Sequence, residues 1–196
     1  MKRFSSIFSQ LLQLFPRVEF EQQQLACELG TTPPPIGYDA SVFRSCLIPG
    51  QAYGRLSPFG GQPPENNIRK AQQLPIVSAA GLWRLAEEAL EQLLRLHDGG
   101  LAHGDAELQN IIVCPAPLAP ILIDFEVAVR REAMTAAAWD TRCALDLEPL
   151  LREAVFLQCA LGRQPGRLGE LSWQRMPTLF RSPDRFRLAI EMQAEA

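Results

Sequence analysis

Asp105, Asn110 and Asp124 are the side chains of this 196-residue chain whose types and spacing best suit shared chemistry. They lie in LHDGGLAHGDAELQNIIVCPAPLAPILIDFEVAV, residues 96–129. This stretch reads as a helix end closed by Gly99 and Gly100, a polar loop, an apolar strand from Asn110 to Val113, and a proline-rich turn. A second apolar strand follows from Ile121 to Asp124, with polar chemistry starting where it stops. A hairpin returns its two ends to one edge of a sheet, so a carboxylate and an amide before the first strand should face a carboxylate after the second. That grouping suits magnesium, which prefers hard oxygen ligands and usually takes one or two carboxylates together with phosphate oxygens and water. A further oxygen group is then left to orient an attacking hydroxyl.

The wording H-G-D-x-x-x-x-N followed by I-D-F-E, at His103, Gly104, Asp105, Asn110, Asp124, Phe125 and Glu126, resembles the protein-kinase-like superfamily. Both spellings look more like the aminoglycoside and choline phosphotransferases and their bacterial relatives than like protein kinases. The resemblance implies ATP as phosphoryl donor, Asp105 accepting or orienting the substrate hydroxyl, and Asn110 and Asp124 holding magnesium. His103 and Phe125 would be packing supports. Gly104 stands where many protein kinases carry an arginine that reads a phosphorylated activation loop, and Glu126 stands where they carry a hinge glycine. Neither device is expected here.

The elements that must position these residues are clearest from Ser78 onward. SAAGLWRLAEEALEQLLRLHDGG starts at a serine cap and ends at paired glycines. It aligns Leu82, Leu85, Ala86, Ala89, Leu90, Leu93 and His97 on one helical face, with His97 read as a core histidine. A second core helix is expected over Asp146 to Leu161, capped by Asp146 and tolerating Pro149 in its first turn. The resemblance gives Asp146 a further task, hydrogen bonding to the catalytic-loop backbone. Between them Arg130 and Arg131 read as a solvated turn. Residues 162–196 read as arginine-bearing loops with one helix, Pro183 to Gln193.

Upstream, residues 1–22 read as an amphipathic leader helix built on Phe4, Ile7, Phe8, Leu11, Leu12 and Phe15 and stopped by Pro16. FSQLLQLFPRVEFEQ resembles the start of some bacterial insertion-sequence transposases. If that likeness is real, an inserted element supplied a new start to a kinase-like gene. Residues 23–77 are proline-rich and poorly patterned, with one strand expected over Val42 to Ile48. In a kinase-like fold that strand and the following PGQAYGRL would be the last small-lobe strand and the hinge beside the adenine. A glycine-rich phosphate loop and a strand lysine should precede them. The only lysines are Lys2 and Lys70, and Gly60 and Gly61 read as a turn. Arg44 is the candidate replacement cation, against a solvated strand-edge role.

An apolar content of 47% and a formal net charge of −3 describe an ordinary globular chain rather than a nucleic-acid binder. Five dispersed cysteines without a C-x-x-C pair read as reduced, mostly buried thiols. Neither a signal-peptide core nor a membrane span is evident, and the default address is the cytoplasm. The expected fold is α+β and kinase-like. It has a leader helix (1–22), a truncated or remodelled small lobe with hinge (23–77), and an intact, mainly helical large lobe (78–196). The expected activity is ATP- and magnesium-dependent phosphoryl transfer to a hydroxyl of a protein or small molecule. The rivals are a pseudokinase-type binding module and an inactive truncated fragment, and a partner chain could complete the nucleotide pocket.

Overall fold

The computed structural model describes residues 17–38, 43–44, 50–57, 78–162, 166–182, 184, 187 and 191. Over these the fold is mixed α+β, with short antiparallel sheets at one side of a helical core. Helix α1 covers residues 17–28. Its described part starts at Arg17, the residue after Pro16. The expected boundary at residue 22 falls inside α1, and residues 23–28, read as unpatterned, are helical. The expected helix upstream of Pro16 lies outside the described residues.

Strands β1 (Gly37–Tyr38) and β2 (Phe43–Arg44) form an antiparallel pair. Phe43 and Arg44 are the described part of the strand expected over Val42 to Ile48. β3 (Gln51–Ala52) then runs into a one-turn helix, α2 (Tyr53–Leu56). The segment expected as a hinge thus begins by pairing with the hairpin that leads into the site. Gly50 makes this approach possible, because a Cβ there would collide with the Val113 backbone.

Helix α3 (Ala79–Asp98) follows the sequence expectation closely. Ser78 Oγ accepts a hydrogen bond 3.1 Å from Gly81 N, and Gly100 closes the other end at φ +78°. Leu82, Leu85, Leu90, Leu93 and Leu96 are fully or almost fully buried, each contributing about 2 kcal/mol relative to exposure. β4 (Leu101–Ala102) comes next. β5 (Ile111–Pro115) and β6 (Leu118–Leu122) form a hairpin joined at Ala116–Pro117, with β5 in the centre of the order β3-β5-β6.

The hairpin differs from the expected strands by running further into the proline-rich segment. Pro120 sits on β6, an edge strand that tolerates a missing N–H, and Pro115 ends β5. Asn110 consequently belongs to a 3₁₀ turn, Leu108–Asn110, and Asp124 lies beyond the strand end. β7 (Val129–Arg130) pairs with β4, so the chain after Asp124 returns beside the loop that carries Asp105. Arg130 and Arg131 are exposed, matching a solvated turn.

Helix α4 (Ala136–Leu161) is the main correction. It is capped by Thr135, whose Oγ1 accepts from Ala138 N at 3.3 Å, and not by Asp146. The alanines after Met134, strong helix formers, extend it ten residues upstream of the expected start. Pro149 lies in the helix interior, where it removes one backbone donor. α5 (Arg167–Leu179) replaces an expected loop and packs on α4, with Phe156 edge-on to Phe180 at 5.6 Å. Of the helix expected over Pro183 to Gln193, Asp184, Arg187 and Glu191 are described and helical; the rest lies outside the described residues.

One hydrophobic core joins Ala26 of α1, Tyr53 and Leu56 of α2, the inner faces of α3, α4 and α5, and Ile111, Val113 and Leu122 of the hairpin. No helix among the described residues is long and apolar enough to cross a membrane. Of the described cysteines Cys159 is buried, whereas Cys27, Cys114 and Cys143 are only partly so, contrary to expectation.

Candidate active site

Asp146 sits at the base of the site, on the face of α4 turned toward the loop after β4. Its side chain is 2% exposed and accepts three contacts: His103 N at 2.7 Å, Gly104 N at 2.8 Å, and His97 Nε2 at 3.1 Å. Successive backbone N–H groups directed at one buried carboxylate set the turn of the loop, and the charged acceptor strengthens each bond. The expected cap was wrong, but the expected contact with the loop backbone is present.

His103 is fully buried and held on both ring nitrogens. Nε2 donates to Ile123 O at 2.9 Å, and Nδ1 accepts from Asp105 N at 3.3 Å. Only the neutral ring with its proton on Nε2 can make both bonds. Burial pushes its pKa below the ordinary histidine value, outweighing the upward pull of Asp146 and of the more distant Asp105 and Asp124. The ring packs on Phe125 with centroids 4.7 Å apart, so both residues support the site sterically.

Asn110 joins the two halves. Its Nδ2 donates to Asp105 O and to Asp105 Oδ2, each at 2.9 Å, while its backbone carbonyl accepts from Ile123 N at 3.0 Å. Ile123 is thereby held on both sides, its N–H by Asn110 and its carbonyl by His103. The next residue, Asp124, has φ +67°, the one non-glycine residue with positive φ among the described residues. Aspartate adopts this conformation more readily than most residues, but a sparsely populated backbone state still costs about 1–3 kcal/mol and persists only where its surroundings impose it. Here the pinning of Ile123 and the burial of Phe125 impose it.

Asp105 is exposed at the mouth of a cleft of about 240 Å³ lined by Gly104, Glu107, Arg142, Glu148 and Arg152 among others. Arg152 pairs with Glu148 one turn away on α4, along one wall of that cleft. A larger hollow of about 390 Å³ between the same pair and residues 179–182 contains none of the site residues.

Two participants were not visible in the sequence reading. Arg142 reaches across the loop, Nη2 donating to Gly104 O at 2.8 Å and to Val127 O at 3.5 Å. It lies four residues before Asp146, on the same helical face, a relation that appears only once α4 is known to begin at Ala136. Glu19, in the first described turn of α1, feels the charges of Asp124 and Glu126. Partial burial, then the charges of Asp124 and Glu126, raise its carboxyl from the ordinary range to about 7. Nearby Gln22 Oε1 accepts from Arg130 Nε at 3.4 Å, tying α1 to β7.

Asn110 and Asp124 offer hard oxygen donors of the kind magnesium takes when phosphates and water complete its shell. The donor set fits that use. No group of three or more histidine, cysteine, aspartate or glutamate side chains among the described residues forms a cage able to bind a metal without a ligand. No protein-family model matches the chain, and no curated protein is similar to it.

Proposed function

We propose that the chain has a protein-kinase-like large lobe and binds magnesium-ATP at Asn110 and Asp124, with Asp105 directed at an acceptor hydroxyl. The observation that carries this reading is the double hold on Ile123, which sets Asp124, in a left-handed backbone, one residue beyond the contact with Asn110. Asn110 also fixes Asp105 through its amide nitrogen, leaving its amide oxygen as the atom suited to a cation. One loop thus serves both ends of a phosphoryl transfer. Magnesium would supply neutralisation of charge on the phosphates.

The protein's own groups do the positioning. His103 stays neutral and braces the Ile123 carbonyl, Asp146 holds the loop amides, and Asp105 receives or orients the acceptor proton at the mouth of the cleft. The size of that cleft favours a small hydroxyl compound. A second reading, nucleotide binding with little or no catalysis, is favoured by the lysine count: the chain's two lysines are Lys2 and Lys70, and Lys70 follows the segment expected as the hinge. Transfer depends mainly on positioning and electrostatic stabilisation, so a site without a phosphate-clamping lysine should be slow.

The test is transfer of labelled γ-phosphoryl from ATP to small hydroxyl compounds. Turnover well below the ~1 s⁻¹ lower end of kinase rates is expected, abolished by Asp105→Ala. Turnover that survives Asp105→Ala would remove Asp105 from its role.

A further inference from the structure

Gly104 has φ +90°, and a Cβ at this position would collide with Val127 O and with Arg142 Nη2. The space a side chain would fill is therefore taken by an arginine arriving from α4. That arginine donates to the carbonyl of Gly104, next to Asp105, and to the carbonyl of Val127, beyond Asp124. Its Nε is buried without a hydrogen-bond partner among the described residues, and the contacts of its guanidinium there are to the two carbonyls through Nη2. Few side chains can span two loop backbones in this way; a planar guanidinium with several fixed donors is suited to it.

We propose that Arg142 is a positioning residue, a built-in latch that fastens the Asp105 loop to the segment following Asp124 without any covalent modification. Its importance for catalysis rests on the function proposed above; the latch itself does not. With the arginine in place, the acceptor-directing group and the metal-directing group are set by one rigid helix. Loss of the arginine should free both segments together while Asp146 continues to hold the amides of His103 and Gly104.

The test is amide hydrogen exchange on the full chain, comparing wild type, Arg142→Ala and Arg142→Lys. In Arg142→Ala, residues 105–106 and 126–128 should exchange roughly ten-fold faster, as when a local opening loses one charge-assisted hydrogen bond, with the amides of His103 and Gly104, α3 and the rest of α4 unchanged. Added ethylguanidinium should restore protection and ethylammonium should not. Arg142→Lys, whose shorter stem and freely rotating ammonium do not fix the two donor directions that Nη2 presents, should loosen at least one segment. Faster exchange spread evenly over the molecule, loosening of only one segment in Arg142→Ala, or wild-type exchange in both variants would overturn the latch. Magnesium-ATP titration of the same proteins separates the two ideas. Absence of nucleotide binding in wild type sinks the functional reading, whereas the exchange pattern alone decides the latch.

Discussion

At the scale of single residues, Asp146 holds more of the site together than Asp105 does. It is buried, charged, and opposite two backbone donors that have no other acceptor in view. Removing a charged acceptor strands those donors away from water, which costs far more than losing a helix cap. Asp146→Ala should lower unfolding stability by about 3 kcal/mol in urea titrations, against about 1 kcal/mol for a cap alone. A loss at the smaller figure would mean that the loop is held by other contacts. Sequence reading could reach His103, Asp105, Asn110, Asp124 and Phe125 because each belongs to a fixed-spacing pattern, and it reached Asp146 as an expected helix cap to which the resemblance added the loop contact. It could not reach Arg142 or Glu19, because their roles depend on where a helix starts and on which element it covers. Gly104 was the available clue: a glycine in a crowded loop marks space occupied by something else.

At the scale of elements, α1 is held against the site at some electrostatic cost. Leu29, just past its end, packs on Gly99, and Gln22 bonds Arg130, while Glu19 faces the charges of Asp124 and Glu126. Glu19 keeps its proton up to about pH 7 in the folded chain, against an ordinary value of 4.5. Between those values the native state binds more protons than the unfolded state, so stability falls as pH rises through this window. Glu19→Gln should therefore stabilise the protein at pH 8 and make little difference near pH 4.5. Denaturation midpoints at the two pH values measure this directly, and an equal shift at both would show that charge at Glu19 is not the cause. The element boundaries that sequence reading missed have local physical reasons. Ser78 and the Gly99–Gly100 pair announced α3, but the alanine run before Asp146 carries no amphipathic signal, and Pro149 looked like a first-turn residue. The hairpin was recognised with its strands displaced, because prolines that suggested a turn are accommodated at an edge and at a strand end.

At the scale of the whole molecule, the described residues form one core in which α3 and α4 support the loop–hairpin unit and to which α1 contributes Ala26. The helix and the hairpin of the mixed α+β architecture were legible in the sequence because both are strongly patterned, whereas the α+β class itself was expected from the kinase-like resemblance. The upstream portion was less legible because short two-residue strands leave almost no alternation to read. A nucleotide site whose described residues offer hard-oxygen ligands and no lysine should depend on its metal more than an ordinary kinase site does. Calorimetric titration of ATP into the wild-type chain, with magnesium and with chelator, therefore tests the central claim most directly. The expected result is binding only with magnesium, weakened about ten-fold or more by Asp124→Asn, which removes one formal charge from a cation ligand. Equal affinity with and without magnesium, an unaffected Asp124→Asn variant, or no binding under any condition would contradict it.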